Sequence, residues 1–72
     1  MCGIVGYIGN KDTQSVLIEG LKKLEYRGYD SAGIAVYTHK GLEIVKAQGR
    51  IVNLEAKLEN DPLVGSSGIG HT

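Results

Sequence analysis

This chain has little cysteine, little proline and no net charge. Its 72 residues hold one Cys, one Pro and eight basic against eight acidic side chains. A single cysteine excludes an internal disulfide, and one Cys with two separated His gives no zinc-ligand spacing, so no metal or cofactor is expected. The charges are even in number and interspersed, which excludes a basic footprint for nucleic acid, a polybasic membrane patch and an acidic tail. No apolar run approaches the roughly 20 residues of a membrane span. The start lacks the positively charged region and long apolar core of a signal peptide, and with the lone thiol this leads us to expect a cytoplasmic protein. A small molecule or a protein remains as the partner. A chain this short buries only roughly 60% of its unfolded surface. Without staples, its core contributes no more than about 3–5 kcal/mol.

What is present is a regular alternation of patterns. In "MCGIVGYIG" one face carries Cys2, Ile4, Gly6 and Ile8, the other Gly3, Val5, Tyr7 and Gly9. Both faces are apolar, so this strand expects cover on both sides and hints at a layered structure. "NKDT" breaks the pattern, with Asp12 or Thr13 as N-cap. Leu17, Leu21 and Leu24, widened by Val16 and Gly20, predict a helix over 13–25. Gly20 inside that helix costs roughly 1 kcal/mol against Ala, which points to close packing on a neighbour. "EYRGYDSAG" reads as a loop. Ala32 to Thr38 and Leu42 to Gln48 read as a hairpin joined by "THKG", with Gly41 in the left-handed position and His39 a solvated turn residue. Ile34 and Val36 are expected to face inward from the first of these strands, Leu42 and Ile44 from the second. Ile51, Leu54 and Leu58 predict a second helix closed by Pro62, and "GSSGIGHT" reads as the start of a further strand.

The chemistry begins at position 2. A free thiol has a pKa of about 8.5 and needs a base or a lowered pKa to act as a nucleophile. Removal of Met1 leaves Cys2 with its own α-amine, whose reference pKa is about 7.7–8.0. Such a group accepts a proton and returns it near neutral pH, so nucleophile and base come in one residue. The plain alternative is a small buried hydrophobe at the start of a strand.

A second set of residues bears on that choice. "CGIVG", then after a helix "LEYRGYDSAGIAV", and finally "GIGHT" resemble the N-terminal-nucleophile (class II) glutamine amidotransferases, over essentially all of the chain. Tyr26 before Arg27, and Tyr29 after Gly28, resemble the branch that aminates fructose 6-phosphate. The phosphoribosyl and asparagine branches place a His before the Arg, followed after the Gly by Gln and Pro respectively.

The resemblance implies that Cys2 attacks the side-chain amide of L-glutamine, forming a γ-glutamyl thioester and releasing ammonia. The Cys2 amine then serves as base and acid. Arg27 and Gly28 are implied to shape the site or bind substrate, and His71 to hydrogen-bond or act within it. Asp30 and Ser31 read as turn-formers, Tyr26 and Tyr29 as packing residues. The implied fold is α+β, the N-terminal portion (strand-helix-strand-strand-helix-strand) of an αββα four-layer sandwich. These residues would supply part of its two sheets and two helices of one flanking layer. The family's substrate-carboxylate Arg, its Asn-Gly oxyanion donor and an acidic amine-binding residue do not occur in these 72 residues. The expectation is therefore residues 1–72 of a larger amidotransferase domain, inactive alone, with sugar isomerase domains elsewhere that bind fructose 6-phosphate and form a homodimer. No nucleic-acid or membrane partner is expected. A freestanding small α+β interaction module with a structural cysteine, pairing its sheet edges with a partner, remains the alternative.

Overall fold

The computed structural model describes residues 3–25 and 31–72. The order is β1 (Ile4–Ile8), α1 (Thr13–Leu24), β2 (Ser31–Thr38), β3 (Gly41–Gln48), α2 (Ile51–Asn60) and β4 (Ser67–His71). All six expected elements are present, the first helix ending one residue early and the second strand beginning one residue sooner, at Ser31.

The four strands form one antiparallel sheet in the order β1-β4-β2-β3. This corrects the expectation of strands shared between two sheets. β1 and β2 both run antiparallel to β4 and hence alongside each other in direction. The two β-α-β connections are thereby split: β4 lies between β1 and β2, and β2 lies between β3 and β4. Both helices lie over one face, giving a two-layer α+β structure whose core holds Leu17 and Leu21 of α1, Ile51, Leu54 and Leu58 of α2, and Ile34 and Val36 of β2. Complete burial of each such side chain stabilises by about 1.5–3 kcal/mol.

The glycine-rich β4 has little intrinsic strand preference, and its position follows from what α1 presents to it. A Cβ on Gly68 would lie 3.1 Å from Leu17 Cδ1, and one on Gly70 3.2 Å from Leu21 Cδ1. The helix reciprocates at Gly20, where a Cβ would lie 2.7 Å from Val5 Cγ1. Leucines of the helix thus fill the space left by glycines of the sheet, and a valine of the sheet fills the space left by a glycine of the helix. That is the close approach for which a mid-helix glycine is retained. The first turn of α1 also holds the segment leading into β4. Buried Thr13 donates its hydroxyl to the Gly65 carbonyl at 2.6 Å, and Gln14 Oε1 accepts the Leu63 N–H at 2.7 Å.

The β2–β3 hairpin pairs Thr38 with Gly41 across a two-residue loop of His39 and Lys40, and Gly41 takes φ +109° as expected. His39 is exposed in that loop, also as expected. The pairing sets Tyr37 opposite Leu42, Ala35 opposite Ile44 and Ile34 opposite Val45. Residues directly opposite share a face. Leu42 and Ile44 therefore point away from the helices, each 59% exposed, while Val45 and Ala47 point inward. The expected inward facing of Leu42 and Ile44 is thus reversed, because an apolar set exists at both parities of this strand and the tight turn, not the pattern, selects between them. β1 likewise has cover on one face only. Val5 and Tyr7 pack on the core, whereas Ile4 and Ile8 are 74% and 84% exposed.

Candidate active site

Of the four residues singled out for the site, His71 lies among the described residues. Cys2, Arg27 and Gly28 lie outside them, as do Tyr26, Tyr29 and Asp30. Their covalent neighbours are placed, and these converge. Gly3, one peptide from Cys2, accepts the Thr72 N–H at 3.0 Å, and Ile4 is paired with His71. His71 is paired on its other side with Gly33, near the start of β2. Glu25 and Ser31, the two ends of the 26–30 segment, lie at the end of α1 and the beginning of β2. The directions of the strands carry all of these to one end of the sheet, where β1 and β2 begin and β4 finishes. Leu24 of α1 is at the same end, its Cδ1 2.6 Å from where a Cβ on Gly3 would lie.

On the face away from the helices, this end carries a row across four strands: Ile4, His71, Gly33 and Lys46. Gly33 has no side chain, so a trough of about 330 Å³ opens over it, flanked by Ser31, Ile44, Lys46, Ile69 and His71. An exposed imidazole and an exposed ammonium thus stand on either side of bare backbone. A larger hollow, about 610 Å³, lies at the other end of the same face between Ile8, Tyr37, Leu42 and Ile69. Its walls are apolar and aromatic, and among the described residues no carboxylate, imidazole or amine lines it. The chemistry-bearing end is the smaller hollow. Among the described residues no three His, Cys, Asp or Glu side chains gather to hold a metal ion, and no helix is long and apolar enough to cross a membrane.

Residue-level reasoning on the sequence missed three contributors to this end. Gly33 and Lys46 face the trough only because of the β2–β3 and β2–β4 registers, which no local pattern encodes. Glu25, given no role where the expected helix meets the loop, makes a long-range contact: its Oε2 accepts the Ile51 N–H at 2.9 Å and lies 3.4 Å from Arg50 Nε. Arg50, the N-cap of α2, makes no side-chain cap of its own. A carboxylate from the other helix therefore satisfies a free N–H at the positive end of α2.

No family model matches the chain. Among curated proteins, the glutamine–fructose-6-phosphate aminotransferase (isomerizing) of Clostridium acetobutylicum is 60% identical over all 72 residues, that of Synechocystis 58% and that of Thermus thermophilus 56%. The chain spans only 12%, 11% and 12% of the length of these relatives, at their N-terminal ends. Among solved structures, one described as the allosteric regulatory enzyme of purine biosynthesis matches with a TM-score of 0.84 at 28% identity, covering the whole chain and 15% of its own. The glutamine phosphoribosylpyrophosphate amidotransferase from B. subtilis, complexed with ADP and GMP, matches with the same score and identity over 16% of its length. That likeness bears out the expected α+β class and the N-terminal portion of the N-terminal-nucleophile amidotransferase fold. Over its full 72 residues, this chain belongs with the N-terminal segment of the glutamine–fructose-6-phosphate aminotransferase family.

Proposed function

We propose that these residues form the N-terminal part of a glutamine amidotransferase domain that supplies ammonia for the amination of fructose 6-phosphate. The observation that carries this reading is the convergence at one sheet end. The strand that follows Cys2, the two ends of the segment bearing Arg27 and Gly28, and His71 arrive there from four separate elements. After removal of Met1, the Cys2 thiol gives its proton to its own α-amine as sulfur attacks the amide carbon of glutamine. The ammonium returns a proton to the departing nitrogen, and ammonia leaves behind a γ-glutamyl thioester. Water then adds to the thioester carbon and glutamate departs. Arg27 and Gly28 shape the site, with the planar guanidinium suited to hold carbonyls or a carboxylate, and His71 contributes hydrogen bonds at the rim. The rest of the amidotransferase domain, and the isomerase domains that bind the sugar phosphate and dimerise, are encoded beyond these residues. The protein works in the cytoplasm.

Incubation of the full-length protein with a glutamine-derived electrophile tests the assignment. A mass shift mapping to Cys2 is expected in protein that has lost Met1. Modification elsewhere, or equal modification with Met1 retained, refutes the self-supplied base. The 72-residue chain alone is expected to release no glutamate above a Cys2→Ala control. A missing oxyanion donor by itself removes about 3–4 kcal/mol of transition-state stabilisation.

One observation favours the second reading, a freestanding interaction module. Six large apolar side chains, Ile4, Ile8, Tyr37, Leu42, Ile44 and Ile69, stand exposed on a single sheet face. The gene decides between the two: a coding sequence that continues past Thr72 as Arg-Trp-Ala-Thr-His-Gly supports the enzyme, and a stop codon supports the module.

A further inference from the structure

The two ends of the 26–30 segment are tied to the same short stretch of chain, the junction between β3 and α2. At the first end, the Glu25 carboxylate accepts the Ile51 N–H at 2.9 Å and meets Arg50 Nε at 3.4 Å. At the second end, Ser31 is paired with Gln48 in the sheet register. Only Gly49 and Arg50 separate these two anchor points. The junction is itself stiffened. Gly49 takes φ +85°, a conformation that side-chain-bearing residues rarely adopt. Asn53 Nδ2 donates back to the Gln48 carbonyl at 2.9 Å, and the Asn53 N–H to the Arg50 carbonyl at 2.9 Å. The Glu25 side chain is only 16% exposed, so its carboxylate is largely out of competition with water.

From this geometry we infer that Glu25 is a positioning residue: by capping α2 it ties the end of α1 to the β3–α2 junction, at the end of the sheet where β1 and β2 begin and β4 finishes. The inference rests on the amidotransferase reading above, which is what gives Arg27 and Gly28 a task. Glu25 touches no reacting atom. Its effect passes through the backbone, from an imported helix cap to the end of α1. A contact between the two helices exists for comparison at Lys22 Nζ and Glu55 Oε2, 3.1 Å apart; Lys22 stands one turn back along α1, and neither residue adjoins the segment.

The test uses the full-length protein with Met1 removed. Glutamine hydrolysis is measured for wild type, Glu25→Ala, Glu25→Gln and Glu55→Gln, each normalised to Cys2 that reacts with a glutamine-derived electrophile, with thermal midpoints alongside. Glu25→Ala is expected to lower kcat/KM by roughly 10- to 100-fold, the size of effect that a misplacement of about 1 Å produces. Glu25→Gln keeps an acceptor oxygen for the Ile51 N–H and should recover most of that loss. Glu55→Gln should leave kcat/KM unchanged whatever it does to the midpoint. Wild-type kcat/KM in Glu25→Ala overturns the inference, and so does an equal fall in Glu55→Gln. If Glu25→Ala does not fold, Glu25→Asp decides the matter: it is one methylene short of its partner, so a fall supports the inference and an unchanged rate overturns it. A wild type that does not hydrolyse glutamine refutes the amidotransferase reading instead. The amide resonances of residues 26–30 then settle the positioning claim, supporting it if they move in the Glu25 variant and not in Glu55→Gln, and overturning it if they move in neither or in both.

Discussion

The two faces of the sheet are built from similar amounts of apolar side chain and have opposite fates. The face under the helices presents Val5, Tyr7, Ile34, Val36, Val45 and Ala47, and all are buried or packed on the buried cluster. The other presents Ile4, Ile8, Tyr37, Leu42, Ile44 and Ile69, all exposed. An antiparallel sheet in water ordinarily carries polar residues on its uncovered face. An apolar patch of this extent on a small chain marks a surface evolved against something else. The chemistry-bearing row of His71, Gly33 and Lys46 lies on that open face. One face therefore holds the fold together, while the other holds the candidate site, and the same substitution should register on only one of them.

The largest contrast comes from one chemical change made on each side. Leu21 is completely buried between helix and sheet. Leu21→Ala should cost about 2–5 kcal/mol, comparable with the whole stability expected of a core this size, so the 72-residue chain should be unfolded at 25 °C by circular dichroism. Leu42→Ala on the open face should leave the melting curve within roughly 0.5 kcal/mol of wild type. Equal losses from the two would mean that the faces are not distinct and that the hairpin register is wrong.

Glycines sharpen the contrast with the opposite kind of change. Gly70→Val places methyl groups where Leu21 Cδ1 stands 3.2 Å from a Cβ, and overpacking of this sort costs about 1–3 kcal/mol. Gly6 lies in the neighbouring strand but faces the open side, and a Cβ added there would meet nothing within 4 Å. Gly6→Val should be neutral or stabilising, since a β-branched residue suits a strand better than glycine. Chemical denaturation of the pair separates these signs directly.

These contrasts also show what could be read in advance. Element order, both helix stripes, the Gly41 turn, the stop at Pro62 and the tight packing at Gly20 follow from local spacing and backbone chemistry, and all appear where expected. The facing of β3 did not follow, because Leu42 and Ile44 at one parity compete with Val45 and Ala47 at the other, and a two-residue turn decides. Nor did the central place of β4. "SGIGH" is a poor strand by propensity, and its glycines acquire meaning only against Leu17 and Leu21 of a helix some 50 residues earlier. For the proposed site, position 2 could be put forward from the sequence because the chemistry proposed for it depends on sequence position alone, and it lies outside the described residues. The convergence of Gly3, His71 and Gly33 depends on sheet order, and the Glu25 cap depends on a partner 26 residues away. Neither leaves a local trace.

Glu25 belongs to neither face, and its removal should have a correspondingly smaller effect on stability. Loss of a helix cap costs about 1 kcal/mol, so Glu25→Ala should lower the midpoint modestly, between the Gly70→Val and Leu42→Ala values. Amide hydrogen exchange should localise the change to the first turn of α2, with Leu21 and Ile34 still protected. Uniform loss of protection would show instead that the cap is part of the global core.

The smallest expected effect is the one that tells most about the open face. Ile44→Ala in the 72-residue chain removes a side chain that is already in water, so the unfolding free energy should change by no more than roughly 0.5 kcal/mol. The proposed reading places further chain of the same domain over this face. In the full-length protein, the identical substitution then removes a buried side chain and leaves a cavity, at a cost of about 2–5 kcal/mol. The difference between the two measurements reports how much the covering layer contributes at this position, independently of any activity. A small effect in both proteins would mean that the face stays open, and an apolar surface of this extent would then have to be explained by a separate partner rather than by the rest of the domain.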